Sequence, residues 1–174
     1  GKFKNPMGIA VDSSGNVYVV DSGHNKVQKF NSDGKFIKKW GSEGTADGKF
    51  KNPMGIAVDS SGNVYVVDSG NNRVQKFSNI GAFLGKWGLF GNGNGQFKGP
   101  TGIGIDPSGN VYVADSGNNR MQKFQSDGTF TLKWGSFGTG NGQFIYPTGT
   151  TGIDSAGNLY IADSGNNRVE KFTP

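Results

Sequence analysis

An all-β fold made of a repeated four-stranded unit is predicted for this 174-residue chain by three observations. One phrase recurs four times, as DSGHNKVQKF at 21–30, DSGNNRVQKF at 68–77, DSGNNRMQKF at 115–124 and DSGNNRVEKF at 163–172. Its leading aspartates, Asp21, Asp68, Asp115 and Asp163, stand 47, 47 and 48 residues apart. A fixed period within roughly 20–50 residues marks one supersecondary unit stacked on copies of itself. The third observation is composition: 31 glycines and only 33% hydrophobic residues argue against long helices and for short strands joined by turns. The chain therefore reads as one repeat domain over 1–174, with repeats at about 1–47, 48–94, 95–141 and 142–174.

Each unit offers four strand-like runs, which the second copy shows in order. The first, Pro53–Asp59, carries Gly55 and Ala57, small enough for close backbone approach. The turn Asp59-Ser-Ser-Gly-Asn63 follows; an aspartate can accept hydrogen bonds from the backbone there, and Gly62 can take the positive φ of a tight hairpin. The second run, Asn63–Asp68, is apolar at both alternating sets, Val64 and Val66 on one side, Tyr65 and Val67 on the other. A strand apolar on both sides is covered on both faces. The recurring Asp68-Ser-Gly-Asn-Asn72 is the next turn, followed by Arg73–Phe77 and by a fourth run, Phe83–Gly88, with Trp87 near its end. The last copy stops after the third run, so it lacks its outer strand. Small antiparallel sheets of this kind, repeated at this period and buried between neighbours, predict a β-propeller.

The words Pro-x-Gly-Ile-Ala-Val-Asp, Gly-Asn-Val-Tyr-Val-x-Asp and Gly-Asn-Asn-Arg-Val-Gln-Lys-Phe resemble the NHL repeat of β-propeller proteins, and the resemblance covers all four units. It implies four NHL-type blades. It leaves function open, since members include RNA-binding and protein-binding domains, extracellular sensor domains and a zinc-dependent lyase.

Topology sorts the charges onto two faces. The face carrying the second-to-third turns and the long connectors gathers Lys2, Lys4, Lys26, Lys49, Lys51, Arg73, Lys98, Arg120 and Arg168, the candidate binding residues. Asp12, Asp59, Asp106 and Asp154 gather on the opposite face, joined by Asp33 and Asp127. The pairs Asp21 with Lys26, Asp68 with Arg73, Asp115 with Arg120 and Asp163 with Arg168 read as structural turn pairs, carboxylate to cation across the hairpin. All of the +5 net charge lies in the first half, where residues 1–87 hold twelve Lys and Arg against seven Asp and Glu.

Chemistry is sparse. There is no cysteine, and the single histidine, His24, falls where other copies have asparagine, so it reads as a solvent-facing turn residue and not a base or ligand. Lyases that resemble this fold hold their metal with several inward histidines, which are missing here. The Asp/Asn/Gly clusters lack the spaced carboxylates and terminal glutamate of a calcium loop. GNGNGQF at 91–97 and GTGNGQF at 138–144 lack the following helix and Gly-Lys-Ser/Thr of a phosphate loop, and read as flexible connectors. No catalytic residue, metal or cofactor is expected. Trp40, Trp87 and Trp134 are expected to pack between blades, and Phe3, Phe50, Phe97 and Phe144 to pin the connectors.

These readings point to a non-enzymatic scaffold or binding module with a protein or peptide ligand. The alternatives are RNA binding through the basic loop face and, third, a propeller lyase or hydrolase. Nucleic acid is a minor candidate partner, and no apolar run suits a membrane. Four blades with uncovered apolar ends predict self-association, with two chains closing a ring of eight blades. The near-identity of the first two copies, which over residues 1–30 and 48–77 differ only at His24/Asn71 and Lys26/Arg73, suggests an excerpted or constructed array.

Overall fold

Asp59 shows how the turns shape the chain: its Oδ1 accepts from the backbone N–H of Ser61 and Asn63 at 3.0 and 2.8 Å, while Gly62 takes φ +82°. The same aspartate-led turn recurs at Asp12, Asp106 and Asp154, closing the first hairpin of every unit. The computed structural model describes residues 2–173, in which every regular element apart from four single-turn 3-10 segments is a strand.

The first sheet contains β1 (Pro6–Val11), β2 (Val17–Asp21), β3 (Lys26–Phe30) and β4 (Phe36–Trp40); the second contains β5 (Pro53–Val58), β6 (Val64–Asp68), β7 (Arg73–Phe77) and β8 (Phe83–Trp87). The third contains β9 (Ile103–Ile105), β10 (Val111–Asp115), β11 (Arg120–Phe124) and β12 (Phe130–Trp134), and the last β13 (Pro147–Ile153), β14 (Leu159–Asp163) and β15 (Arg168–Phe172). Every sheet is an antiparallel meander in chain order, and the fourth has three strands. This is an all-β propeller fold of four blades, the last of which has three strands among the described residues. A bulge in the first strand separates Pro53, opposite Asp68, from Ile56, opposite Val66. In β13 the irregularity widens between Thr148 and Gly152, and it absorbs the one extra residue of the 48-residue spacing.

Burial follows the two-sided pattern of the second strands. Tyr18, Val20 and Val27 of blade 1 pack with Phe50 against Ile56, Val64, Val66 and Phe77 of blade 2. The other side of blade 2, Tyr65, Val67 and Val74, meets Ile103, Val111, Val113 and Phe124 of blade 3. Tyr112, Ala114 and Met121 then meet Leu159 and Ile161 of blade 4. Each large apolar side chain so buried contributes on the order of 1.5–3 kcal/mol. The fourth-strand tryptophans complete these junctions: Trp40 lies between Tyr18 and Phe77, Trp87 between Tyr65 and Phe124, and Trp134 between Tyr112 and Phe172.

Two blade faces have no neighbour among the described residues. Ile9 and Val11 of β1 are each 59% exposed, whereas Ile56, the counterpart of Ile9 in blade 2, is 2% exposed. At the other end Val169 is 66% exposed, whereas its counterparts Val74 and Met121 are fully buried. No helix in the described residues is long and apolar enough to cross a membrane.

Candidate functional site

The recurring phrase is a latch between blades. In blade 2, Asp68 is fully buried; its Oδ1 accepts from Lys51 N at 2.7 Å and its Oδ2 from Arg73 Nε at 2.7 Å. Arg73 then directs three of its remaining donors to the preceding connector, with Nη1 donating to Thr45 O and Nη2 to Ala46 O and Lys49 O at 2.8–2.9 Å. Asn71 Nδ2 adds a bond to Gly44 O, and Gln75 Nε2 one to Lys49 O. The latch also reaches forward: Asn72, held in the left-handed region at φ 52°, accepts on Oδ1 from Gly99 N at the entry to blade 3. Blade 3 repeats the set with Asp115, Asn118, Arg120 and Gln122, and blade 4 with Asp163, Asn166 and Arg168.

This geometry redistributes the nine candidate binding cations. Arg73 and Arg120 are buried, and each guanidinium is held by one carboxylate and three carbonyls, so four of its five donors are engaged within the fold. Arg168 is half-buried and clamps Thr139, Gly140 and Gln143 in the same way. Lys26 stands 3.5 Å from Asp21. Lys2, Lys4, Lys49, Lys51 and Lys98 are exposed on the loop face.

The connectors expected to be flexible are tied down. Asn92, Gly93 and Gln96 each give a carbonyl to Arg120, and Phe97 N bonds back to Leu89 O. Glycine content here serves backbone geometry, with φ +154° at Gly91 and +71° at Gly95. His24, expected as a solvent-facing turn residue, is exposed in the turn, with Nδ1 3.0 Å from both carboxylate oxygens of Asp21.

Residue-type reasoning did not reach the two asparagines or the exposed apolar residues of the connectors. The signal for the asparagines was present: Asn71, Asn118 and Asn166 accompany arginine, whereas His24 accompanies lysine. Blade 1, which has no preceding connector among the described residues, differs from blade 2 at the two side chains that grip one. On the loop face, Phe90 and Phe137 occupy equivalent places in successive connectors and are 67% and 70% exposed.

The opposite mouth is lined by Asp59, Asp106 and Asp154 around a cavity of about 260 Å³. Their carboxylates are engaged: Asp59 and Asp106 each accept from an asparagine and from the hydroxyl of Tyr65 or Tyr112, and Asp154 from Asn158 and Tyr160. Although burial alone raises an aspartate, these bonds hold Asp106 below the ordinary carboxylate value. Asp21 and Asp163 are lowered likewise, against the effect of burial, Asp21 first by the backbone donor of Lys4 and Asp163 first by the side chain of Asn166 and then by the backbone donor of Ile145. Among the described residues no group of three or more His, Cys, Asp or Glu could hold a metal ion.

The sequence model of the NHL repeat matches residues 3–30, 50–77, 97–124 and 144–172, coinciding with the four blades up to the end of their third strands. No curated protein sequence matches. Among solved structures, a streptogramin B lyase is similar at TM-score 0.69 and 20% identity, covering 97% of this chain and 54% of that one. A catalytically inactive virginiamycin B lyase from Staphylococcus aureus, solved with quinupristin, gives 0.69 and 18%, with 97% and 55% covered. A protein of unknown function from Bacteroides thetaiotaomicron gives 0.73 and 22%, with 97% and 47% covered. The chain thus spans about half the length of these structures, and at such identities the likeness shows the fold.

Proposed function

The chain belongs to the NHL repeat family, and from that premise we propose that it is a non-enzymatic scaffold that pairs with a second copy of itself into a closed ring of eight blades and binds a protein or peptide ligand on its loop face. The observation that carries the reading is the pair of uncovered ends. The free face of blade 1, with Ile9, Val17, Val19 and Phe30, repeats the surface that blade 2 buries with Ile56, Val64, Val66 and Phe77. The free face of blade 4, with Tyr160, Ala162 and Val169, repeats the surface that blade 3 buries with Tyr112, Ala114 and Met121. The chain's own junctions therefore supply the template for one copy's blade 4 against another's blade 1.

Polar details fit the same docking. Lys76 lies 5.0 Å over the Tyr65 ring and donates to Ser126 O of the following blade, as Lys29 over Tyr18 donates to Asn79 O. Lys171 lies over Tyr160 in the same way, aimed at the place that Ser32 of a second copy takes. In blade 1 both His24 Nδ1, at 3.0 Å, and Lys26 Nζ, at 3.5 Å, approach Asp21.

The non-enzymatic reading is supported by a single histidine already paired with Asp21, by the absence of cysteine, and by arginines and aspartates engaged in structure. Ligand binding on the loop face is supported by Phe90, Phe137, Lys49, Lys51 and Lys98, all exposed in the connectors. The same exposed aromatic and cationic side chains favour RNA as the second reading. Substituting Ile9→Lys tests ring closure. The site is exposed in the single chain, so folding is retained, and association is lost; an unchanged oligomer would sink the proposal.

A further inference from the structure

We propose that Asn94 is a self-modification site, an asparagine that the protein's own backbone converts to aspartate or isoaspartate at the tip of the connector between blades 2 and 3. The site is independent of ring closure and of the loop-face ligand. Gly93–Gln96 form a turn closed by Gln96 N donating to Gly93 O at 3.3 Å, with exposed Asn94 and Gly95, at φ +71°, at its tip. Glycine carries no side chain to shield its amide nitrogen, so Gly95 N has access to the Asn94 side chain. In the reaction Gly95 N bonds to Asn94 Cγ and its proton passes through solvent to the side-chain amide nitrogen, which leaves as ammonia and closes a succinimide ring. Water then opens the ring at Cγ to give aspartate, or at the main-chain carbonyl carbon to give isoaspartate.

The fold singles out Asn94 among the three Asn-Gly pairs of the chain, which are Asn92-Gly93, Asn94-Gly95 and Asn141-Gly142. Ring closure needs the peptide group between asparagine and glycine to turn. That group is held at both ends in Asn92-Gly93, where Asn92 O accepts from Arg120 Nη1 at 2.7 Å and Gly93 N donates to Gln96 Oε1 at 2.9 Å. In Asn94-Gly95 it is held at one end only. Gly95 N donates to Gln122 Oε1 at 3.0 Å, while Arg120 takes the carbonyls of Gly93 and Gln96 on either side, and among the described residues no donor reaches Asn94 O. Asn141-Gly142 occupies the same kind of turn in the next connector, but there the acceptor for Gly142 N is the Glu170 carboxylate at 3.0 Å. A charge-assisted bond of that kind is harder to break than one to a neutral amide.

The first connector shows that the aspartate product fits. Asp47 precedes Gly48 there as Asn94 precedes Gly95, and Gly48 N donates to Gln75 Oε1 at 2.9 Å just as Gly95 N does to Gln122. Lys86 of β8 reaches Asp47 Oδ1 at 2.5 Å. Lys133 holds the place of Lys86 in blade 3, opposite Gln122 as Lys86 is opposite Gln75. Conversion of Asn94 to aspartate therefore gives blade 3 the ion pair that blade 2 already carries. Isoaspartate instead adds a methylene to the main chain between two carbonyls that Arg120 holds, and loosens the clamp.

The test incubates the full chain in mildly alkaline buffer and reads, by peptide mapping and mass spectrometry, the exchange of side-chain NH2 for OH at each asparagine over days. Asn94 is expected to convert fastest, with Asn92 about tenfold slower, the factor that one retained hydrogen bond supplies. Asn141 is expected to lag about threefold or more, and Glu170→Gln, which installs the neutral acceptor of blade 3, removes that lag. The peptide GNGNGQF, the sequence of Gly91–Phe97, has no Arg120 to clamp it, so its two asparagines convert within about twofold of each other. Asn94→Asp raises the folding equilibrium about twofold, a gain that Lys133→Ala abolishes. An intact Asn94 under conditions that convert the peptide would overturn the proposal, as would conversion led by Asn92 or Asn141. A gain from Asn94→Asp that survives Lys133→Ala would remove the ion pair from it.

Discussion

Asn72 accepts a hydrogen bond on Oδ1 from the backbone N–H of Gly99 at 2.8 Å, so a residue in the turn of one blade fixes the first strand of the next. Asn25 holds Asn52 and Asn119 holds Tyr146 in the same way. The side chain supplies the bond and its residue type tolerates the φ of 52°. Asn72→Gly is therefore expected to keep the backbone and lose the bond, costing about 1 kcal/mol. Asn72→Ala loses the bond and strains the backbone, costing about 2 kcal/mol. Urea midpoints of the two variants check the order; equal costs would mean that the cross-blade bond and not the φ dominates.

Arg73 carries the heavier load. Replacing it by lysine leaves at least two connector carbonyls without a donor, so Arg73→Lys is expected to destabilise by about 2–3 kcal/mol. The reverse change in blade 1, Lys26→Arg, has no connector to grip among the described residues and is expected to fall within about 0.5 kcal/mol of neutral. Equal effects from the two substitutions would show that the connector clamp contributes nothing to stability.

Most of the architecture was legible because the period, the turn residues and the two-sided apolar second strands agree with one another. The phrase DSGNNR announced a hairpin turn, and Asp68 with Arg73 announced its ion pair. The rest of the latch was not legible, since Asn71 and Asn72 act on partners 27 residues away in sequence, one on each side, and residue type alone does not give direction. The arginines read as candidate ligand-binding groups because burial is invisible in a repeat whose loops are polar throughout. Phe90 and Phe137 were overlooked for the converse reason: Ser42-Glu43 fills that place in the first connector, so no aromatic period marked them.

Stability is expected to fall on both sides of neutrality. Burial opposes the charged form of Asp21, Asp106 and Asp163, yet hydrogen bonds hold each carboxyl below its ordinary value of 3.8. A depressed carboxylate contributes stability that is present above the unfolded value and lost as pH falls through the folded one, so unfolding on acidification sets in below about pH 4. Tyr18 and Tyr65 are raised from 10.0, first by burial and then by Asp12 and Asp59. Their contribution is present below the unfolded value and fades as pH climbs past 10.0. Urea midpoints between acid and alkaline limits measure both arms; a flat acid arm would remove the carboxylates from the account.

Nucleic acid is expected to bind weakly and with steep dependence on salt, through exposed Lys2, Lys4, Lys49 and Lys51. Alanine at these four positions should abolish the binding, whereas Arg120→Ala should change stability and leave it intact. Titration of a single-stranded RNA at two salt concentrations decides the point. Affinity that persists at about 200 mM salt with a base preference would favour the RNA reading.

The mass of the chain in solution tests ring closure most directly. Sedimentation equilibrium across micromolar concentrations is expected to give twice the 18.4 kDa of one chain. Ile9→Lys and Val169→Lys should each reduce that mass to a single chain while leaving the β-sheet signal in circular dichroism unchanged. A wild-type chain that stays a monomer over this range would contradict the account. A trimer would retain self-closure and reject the eight-blade ring.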